Sequence, residues 1–197
     1  MKKGEKRKDA LLQIARRKFM EKGYAHTSVD EIIAEARIAK GTYYHYFQSK
    51  EQMLEEVIER MLEEGSAKAA RVLASDISLP EKITGVMLAY RPSGKELTIQ
   101  DALHRPENIL LHDKMNRKLM EKMIPLLSQV AEEGRKAGLF HCDNIPERIR
   151  AILLLSSGLF DEKDFTARDV DVFIDMVEKT LGAAPGTMRF VAEIIQK

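Results

Sequence analysis

A single cysteine, Cys142, stands among the 197 residues. One thiol excludes an intrachain disulfide and a thiolate zinc cluster. Nor is there a run of about 18 apolar residues that could cross a membrane as a helix. Charges break the opening MKKGEKRKDALLQIARRKF too early for a secretory signal, so a soluble, cytoplasmic protein is expected. Alternating strand patterns and hairpin turns are missing, as are internal repeats and low-complexity tracts. The chain also lacks a nucleophile elbow, a phosphate-cradling glycine loop, an H-E-x-x-H motif and paired carboxylates in an evident cleft. Nothing therefore supports an enzyme, and neither a cofactor nor a metal is expected.

Hydrophobic residues make up 44% of the chain, enough to bury a core and to separate it from charge-rich disordered sequences. The length suits one large domain, or a small domain joined to a larger one. The formal net charge of +1 conceals an asymmetry. Residues 1 to 50 hold 12 Lys and Arg against 6 Asp and Glu, a local excess of +6, and the remainder is mildly acidic. A basic first quarter on an acidic body suggests an end that meets a polyanion.

Helical signals fill the chain. Leu12, Ala15 and Phe19 recur on one stripe, and Gly23 supplies a C-cap with Tyr24 packing back. Ser28 and Glu31 form a capping box ahead of Ile32, Ile33 and Ala36. A third segment starts near Lys40, and Ser49 with Gln52 opens a long charged helix to about Ala74. The second and third helices are too short to stand alone in water. Two short packed helices joined by a tight turn form a helix-turn-helix.

Beyond residue 74, breaks are expected near Pro80, across 91–94, at Arg105-Pro106, over 138–146, over 161–166 and over 182–186. At least five further helices lie between them. Residues 107 to 137 carry Leu111, Met115, Leu119, Met123, Leu126 and Val130 on one stripe, and Pro125 either kinks that helix or starts a new one. The stretches 146–160 and 167–181 are apolar over much of their circumference.

The order and spacing of Leu11-Leu12, Ala15, Phe19, Gly23-Tyr24, Thr27-Ser28-Val29, Ile32-Ile33, Ala36, Lys40-Gly41-Thr42, Tyr44, Phe47, Lys50 and Glu51 resemble the TetR family of bacterial transcriptional regulators. EEGRKAGLF at 132–140 also resembles that family's way of ending a long central helix with paired glycines and a phenylalanine. The resemblance implies an all-α fold: a helix-turn-helix DNA-binding domain over residues 1–48, then a helical ligand-binding and dimerisation domain over 49–197. The chain departs from the family at Arg37-Ile38-Ala39, where Gly, a branched apolar residue and Ser are frequent, and at Lys18, where an apolar residue is common. Losing the serine removes a capping hydroxyl from the start of the third helix.

In KGTYYHYF, residues 40–47, the free amides around Lys40, Gly41 and Thr42 attract phosphate, and Gly41 lets backbone approach DNA closely. Thr42 and Tyr43 are expected to reach base edges. Tyr44, His45 and Tyr46 are expected to donate to phosphates, with Phe47 packing inward against Tyr43 or Tyr44 by its i−3/i−4 spacing. Thr27 and Ser28 would clamp phosphate at the second helix and Lys50 at the fourth. The resemblance further implies a homodimer through helices near 146–160 and 167–181, on double-stranded operator DNA. Candidate inducer contacts are Met87, Tyr90, Met115, Leu119, Met123 and Phe160. A repressor released by a small molecule is expected, the alternative being an architectural or protein-recruiting DNA-binding factor without an inducer. His104 and His112, eight residues apart, lie too far apart along one helix for a shared metal unless the chain breaks at Pro106.

Overall fold

A computed structural model describes residues 3–92, 94–160 and 165–196. The breaks expected at Ser93 and over 161–164 lie outside the described residues. Among the described residues ten α-helices follow one another: α1 (Lys3–Lys22), α2 (Val29–Ala36), α3 (Lys40–Tyr46), α4 (Lys50–Leu73), α5 (Leu79–Ala89), α6 (Leu97–Leu103), α7 (Ile109–Lys136), α8 (Ile145–Phe160), α9 (Ala167–Leu181) and α10 (Val191–Gln196). Short 3-10 turns precede α6 and α7, at Gly94–Glu96 and Pro106–Asn108. No strand occurs among the described residues, and the fold is all-α.

Capping chemistry sets several boundaries. Ser28, Ser78 and Thr166 each cap a helix and receive a carboxylate back from Glu31, Glu81 and Asp169, so two orphan amides are satisfied at each start. Helix α7 runs through Pro125 rather than restarting there, although the ring deprives one carbonyl of its amide partner. At its end the amide of Leu139 donates to the Gly134 carbonyl at 2.9 Å, with Gly138 at φ +74°. Phe140 then folds back onto Gly134 so closely that a Cβ there would lie 2.5 Å from the ring. The paired glycines therefore have two separate reasons: one takes the left-handed turn, the other admits the ring.

The chain forms two compact units. The first holds residues 1–64 and 92–117, and with them the whole of segment 1–48. Its buried side chains include Leu11, Leu12, Ala15 and Phe19 of α1, Ile32 of α2, Tyr43 and Phe47, Met53, Leu54 and Val57 of α4, and Ile99, Ala102 and Met115. Polar ties run across it. Arg16 of α1 donates to Glu64 at 2.7 Å and to Glu96 at 2.6 Å, Lys8 pairs with Glu56 at 2.6 Å, and Arg60 pairs with Asp9.

The second unit holds residues 65–91 and 118–197 and surrounds one apolar core. Val86, Met123, Ile124, Leu127, Ala131, Phe140, Ile149, Leu153, Phe173, Ile174, Val177 and Leu181 are all buried within it. The stripes of α8 and α9 thus close an intramolecular core. Their outward faces still carry exposed Leu154, Val172 and Met176. Gly182 ends α9 at φ +63°, its α-carbon so close to the His141 carbonyl that any Cβ would collide with it.

Candidate nucleic-acid interface

The turn between α2 and α3 is built against local preference at both ends. Arg37 closes α2 in the left-handed region at φ +50°, the conformation glycine adopts with least strain, and its amide donates to the Ala34 carbonyl. Ala39 stands at the N-cap of α3 in extended backbone and contributes no side-chain hydrogen bond. The departures from the family pattern at 37 and 39 therefore fall on the two positions where glycine and serine would supply a relaxed turn and a cap. Lys18, the third departure, pairs with Glu35 at 3.0 Å and so fastens α1 to α2 by charge.

On α3 the aromatic cluster divides by face. Lys40, Gly41, Tyr44 and His45 are exposed, Thr42 and Tyr46 are half-buried, and Tyr43 and Phe47 are fully buried. Tyr43 is a correction to the expected base-reading role. Its ring packs 5.6 Å from Phe47, its hydroxyl donates to the Ser49 carbonyl at 3.3 Å, and burial pushes the phenol up to about 12. Phe47, the C-cap that closes α3 in extended backbone, lies four residues after Tyr43, and the two rings pack together beneath a helix of only seven residues. The Tyr46 ring lies tilted, 6.4 Å from that of Phe47, with its hydroxyl near Gly4 of α1, where a Cβ would sit 3.7 Å from it. Lys40 makes an exposed pair with Asp30 at 3.3 Å.

The flanking candidates also divide. Ser28 is exposed and caps α2; the returning Glu31 carboxylate is held down to about 2 by Lys22 and by the Ser28 amide. Thr27 is buried, its hydroxyl donating to the Gly23 carbonyl at 3.0 Å, which removes it from the surface. Lys50 is likewise turned inward. Its ammonium donates to the carbonyls of Tyr24 at 2.9 Å and Thr27 at 3.0 Å and lies 4.2 Å over the Tyr24 ring. Partial burial lowers its pKa. Lys50 and Thr27 are therefore staples of the 23–28 turn, because orphan carbonyls there take up the donors first. Exposed Arg37, His26 and Gln48 border the same surface and were absent from the expected set. Their signal was positional only: each lies in a turn adjoining α2, α3 or α4.

A second candidate site is a cavity of about 80 Å³ in the second unit. Of the six inducer contacts expected from sequence, Met87 lines it. Met115 does not, because it is buried in the other compact unit. Tyr90 instead ends α5 and bonds Ser66 through its hydroxyl at 2.8 Å, while Met123 is core and Leu119 and Phe160 pack around that core away from the cavity. The walls are mainly aliphatic: Leu127 and Ala131, Ile149 and Leu153, Val177 and Leu181 come in pairs spaced four residues apart on α7, α8 and α9. Those pairs were visible as helix stripes, but the choice of methionines and aromatics passed over them.

The helix does break at Pro106, and the fold-back brings the rings of His104 and His112 to 4.9 Å. His104 Nδ1 bonds the Gln100 carbonyl at 2.9 Å, and Asn116 meets His112 Nε2 at 3.4 Å. No group of three or more His, Cys, Asp or Glu among the described residues is arranged to hold a metal ion.

These features can be set beside known proteins. A family model described as bacterial regulatory proteins, tetR family, matches residues 11–57, which span the last turns of α1 through the first turns of α4. The transcriptional repressor KstR2 of Mycolicibacterium smegmatis is 40% identical over 141 residues, covering 70% of this chain and 69% of its own. A transcriptional regulator from Cytophaga hutchinsonii shares the fold with a TM-score of 0.61 at 19% identity, covering 95% of this chain and 97% of that one. The structure of RolR in complex with resorcinol superposes with a TM-score of 0.64 at 19% identity, over 99% and 95% of the two chains. No helix among the described residues is long and apolar enough to cross a membrane. On its helix-turn-helix and on its similarity to that repressor, the chain belongs to the TetR family of bacterial transcriptional regulators.

Proposed function

We propose that this regulator is a cytoplasmic, homodimeric repressor that grips operator DNA with α3 and releases it when a small molecule occupies the second unit. The functional division follows the sequence, with a DNA-binding head over 1–48 and a regulatory body over 49–197. One observation carries the DNA half: α3 leaves Lys40, Gly41, Tyr44 and His45 exposed on one surface while Tyr43 and Phe47 fix it from beneath. Such a helix presents cation, bare backbone and hydroxyl donor together, the chemistry that phosphate and groove edges accept. The name of KstR2, a repressor, supports the direction of control.

A dimer follows from the task, since two recognition helices must meet half-sites about one turn apart. The outward faces of α8 and α9 support it, with Ala151, Leu154, Gly158, Val172 and Met176 together on the solvent side. Gly158 would meet nothing within 4 Å if it gained a Cβ. The apolar cavity favours the inducer-controlled reading over an architectural one, as does the resorcinol held by RolR. The inducer acts only through a difference in its affinity for the DNA-bound and released states.

Selection of bound genomic fragments identifies the operator, and fluorescence anisotropy then measures affinity for it. Raising salt from 50 to 200 mM lowers affinity by roughly a thousandfold for a protein making six or more phosphate contacts. Tyr44→Ala weakens binding at least tenfold with an unchanged melting temperature. Salt-independent affinity, or a Tyr44→Ala protein that binds as the wild type does, defeats the proposal.

A further inference from the structure

We propose that the cavity of the second unit takes an uncharged, hydrocarbon-bodied ligand and that α10 is the wall which moves to admit it. This deepens the inducer-controlled reading above and rests on it. The lining comes from α5, α7, α8 and α9, from Phe140 beyond α7 and from residues 188–195, and Ser156 is the only polar side chain among the described residues that line it. Among the described residues, no Lys, Arg, His, Asp or Glu lines it. An ionised group brought there would lose its hydration and find a single hydroxyl in return, so for the same hydrocarbon body the uncharged form binds better. The hydrocarbon body is selected for the opposite reason, because every buried methylene is removed from water.

The volume then requires a moving part. A dry cavity that binds benzene measures about 150 Å³ and ordinary ligand sites about 300 Å³ or more. At about 80 Å³ the present cavity holds less than one such ring without a wall giving way. Four walls belong to helices of 11 to 28 residues. The fifth is α10, with only six, and a helix that short has little stability of its own. Val191, Ile194 and Ile195 supply its inward face. Two polar latches hold it in place. The Arg91 guanidinium donates to the Ile194 carbonyl at 2.6 Å, and the buried Glu178 carboxylate accepts the Met188 amide at 2.8 Å. Gly182 and Gly186, both at positive φ, lie in the connection from α9 and can absorb a swing.

The test uses the full chain and a matched pair of fluorophores, neutral N-phenyl-1-naphthylamine and its anionic 8-sulfonate. The neutral probe is expected to bind once per chain, to be displaced by decan-1-ol, and to bind at least tenfold more tightly than the sulfonate. Ala131→Phe, which fills the cavity, abolishes its binding. Arg91→Ala, which opens a latch, raises its association rate at least fivefold in stopped flow. A sulfonate that binds as tightly as the neutral probe, or a neutral probe that does not bind, overturns the ligand class. That comparison is made on the unaltered chain and survives misfolding of Ala131→Phe. An unchanged rate in folded Arg91→Ala overturns the lid. If decan-1-ol binds and operator DNA is still held, the ligand class stands and the inducer reading falls.

Discussion

The two compact units are held together by different physics. In the first, charged and polar groups reach across the sequence: Arg16 to Glu64 and Glu96, Lys8 to Glu56, Lys114 to Glu55, and Lys50 onto two carbonyls of the 24–27 turn. In the second, Lys82–Glu133 joins separate helices, Arg91, Arg148 and Glu178 tie side chain to backbone, and Arg135–Glu132 and Lys179–Asp175 lie within single turns; the larger share of cohesion rests on a continuous apolar core. Directional bonds fix a surface in one geometry, which a groove-reading helix needs. Apolar packing is non-directional and can close again around an added ligand.

The largest expected effects come from truncating the anchor of each unit. Tyr43→Ala and Phe140→Ala remove side chains that are 0% and 1% exposed, and each should cost roughly 3–5 kcal/mol in urea unfolding. Tyr44→Ala, one residue away, should leave stability within about 0.5 kcal/mol. A Tyr43→Ala protein as stable as wild type would erase the distinction between the two faces of α3. Next in size is Arg16→Met, which strips two carboxylates of their partner and should cost about 1 kcal/mol, less in high salt. Raising salt should therefore lower unfolding midpoints for probes in the first unit more than for probes in the second. Equal responses would break the contrast.

Arg37→Gly runs the other way. Relaxing φ +50° should add about 1 kcal/mol, and Ala39→Ser should add about 0.5–1 kcal/mol through a new cap, both read from thermal melts. The smallest effect is acid titration of the caps. The folded pKa of Glu31 lies below its ordinary 4.5, at about 2, so its contribution is complete above pH 4.5 and disappears as pH falls through 2. Lys22 and then the Ser28 amide hold Glu31 down, whereas Glu81 and Asp169 shift in the same direction through hydrogen bonds to Ser78 and Thr166. Circular dichroism should show helix content falling over that window, and Glu31→Gln should flatten the part owed to α2.

Much of the architecture was legible because helix ends are written locally. Ser28 with Glu31, Gly23, and the glycines near Phe140 each act within a few residues, and the elements they bound follow the sequence closely. The interface was legible in location and less so in detail. Spacing back from Phe47 narrowed its inward partner to Tyr43 or Tyr44, but a helix of seven residues has too few turns for periodicity to choose between them. Lys50 looked like a free cation because its partners lie 23 and 26 residues earlier. The cavity was least legible. Its aliphatic lining has the composition of any core, and only the packing of five helices separates the residues facing empty space from those facing one another.

Gly158 carries a last consequence. Glycine within a helix costs about 1 kcal/mol relative to alanine, and no neighbour in this chain crowds the place where a Cβ would go. In the homodimer proposed through α8 and α9, that gap would admit a partner's backbone. Folding and assembly would then make opposite demands at one position: a methyl group there would firm α8 in the single chain and hold a second copy at a distance.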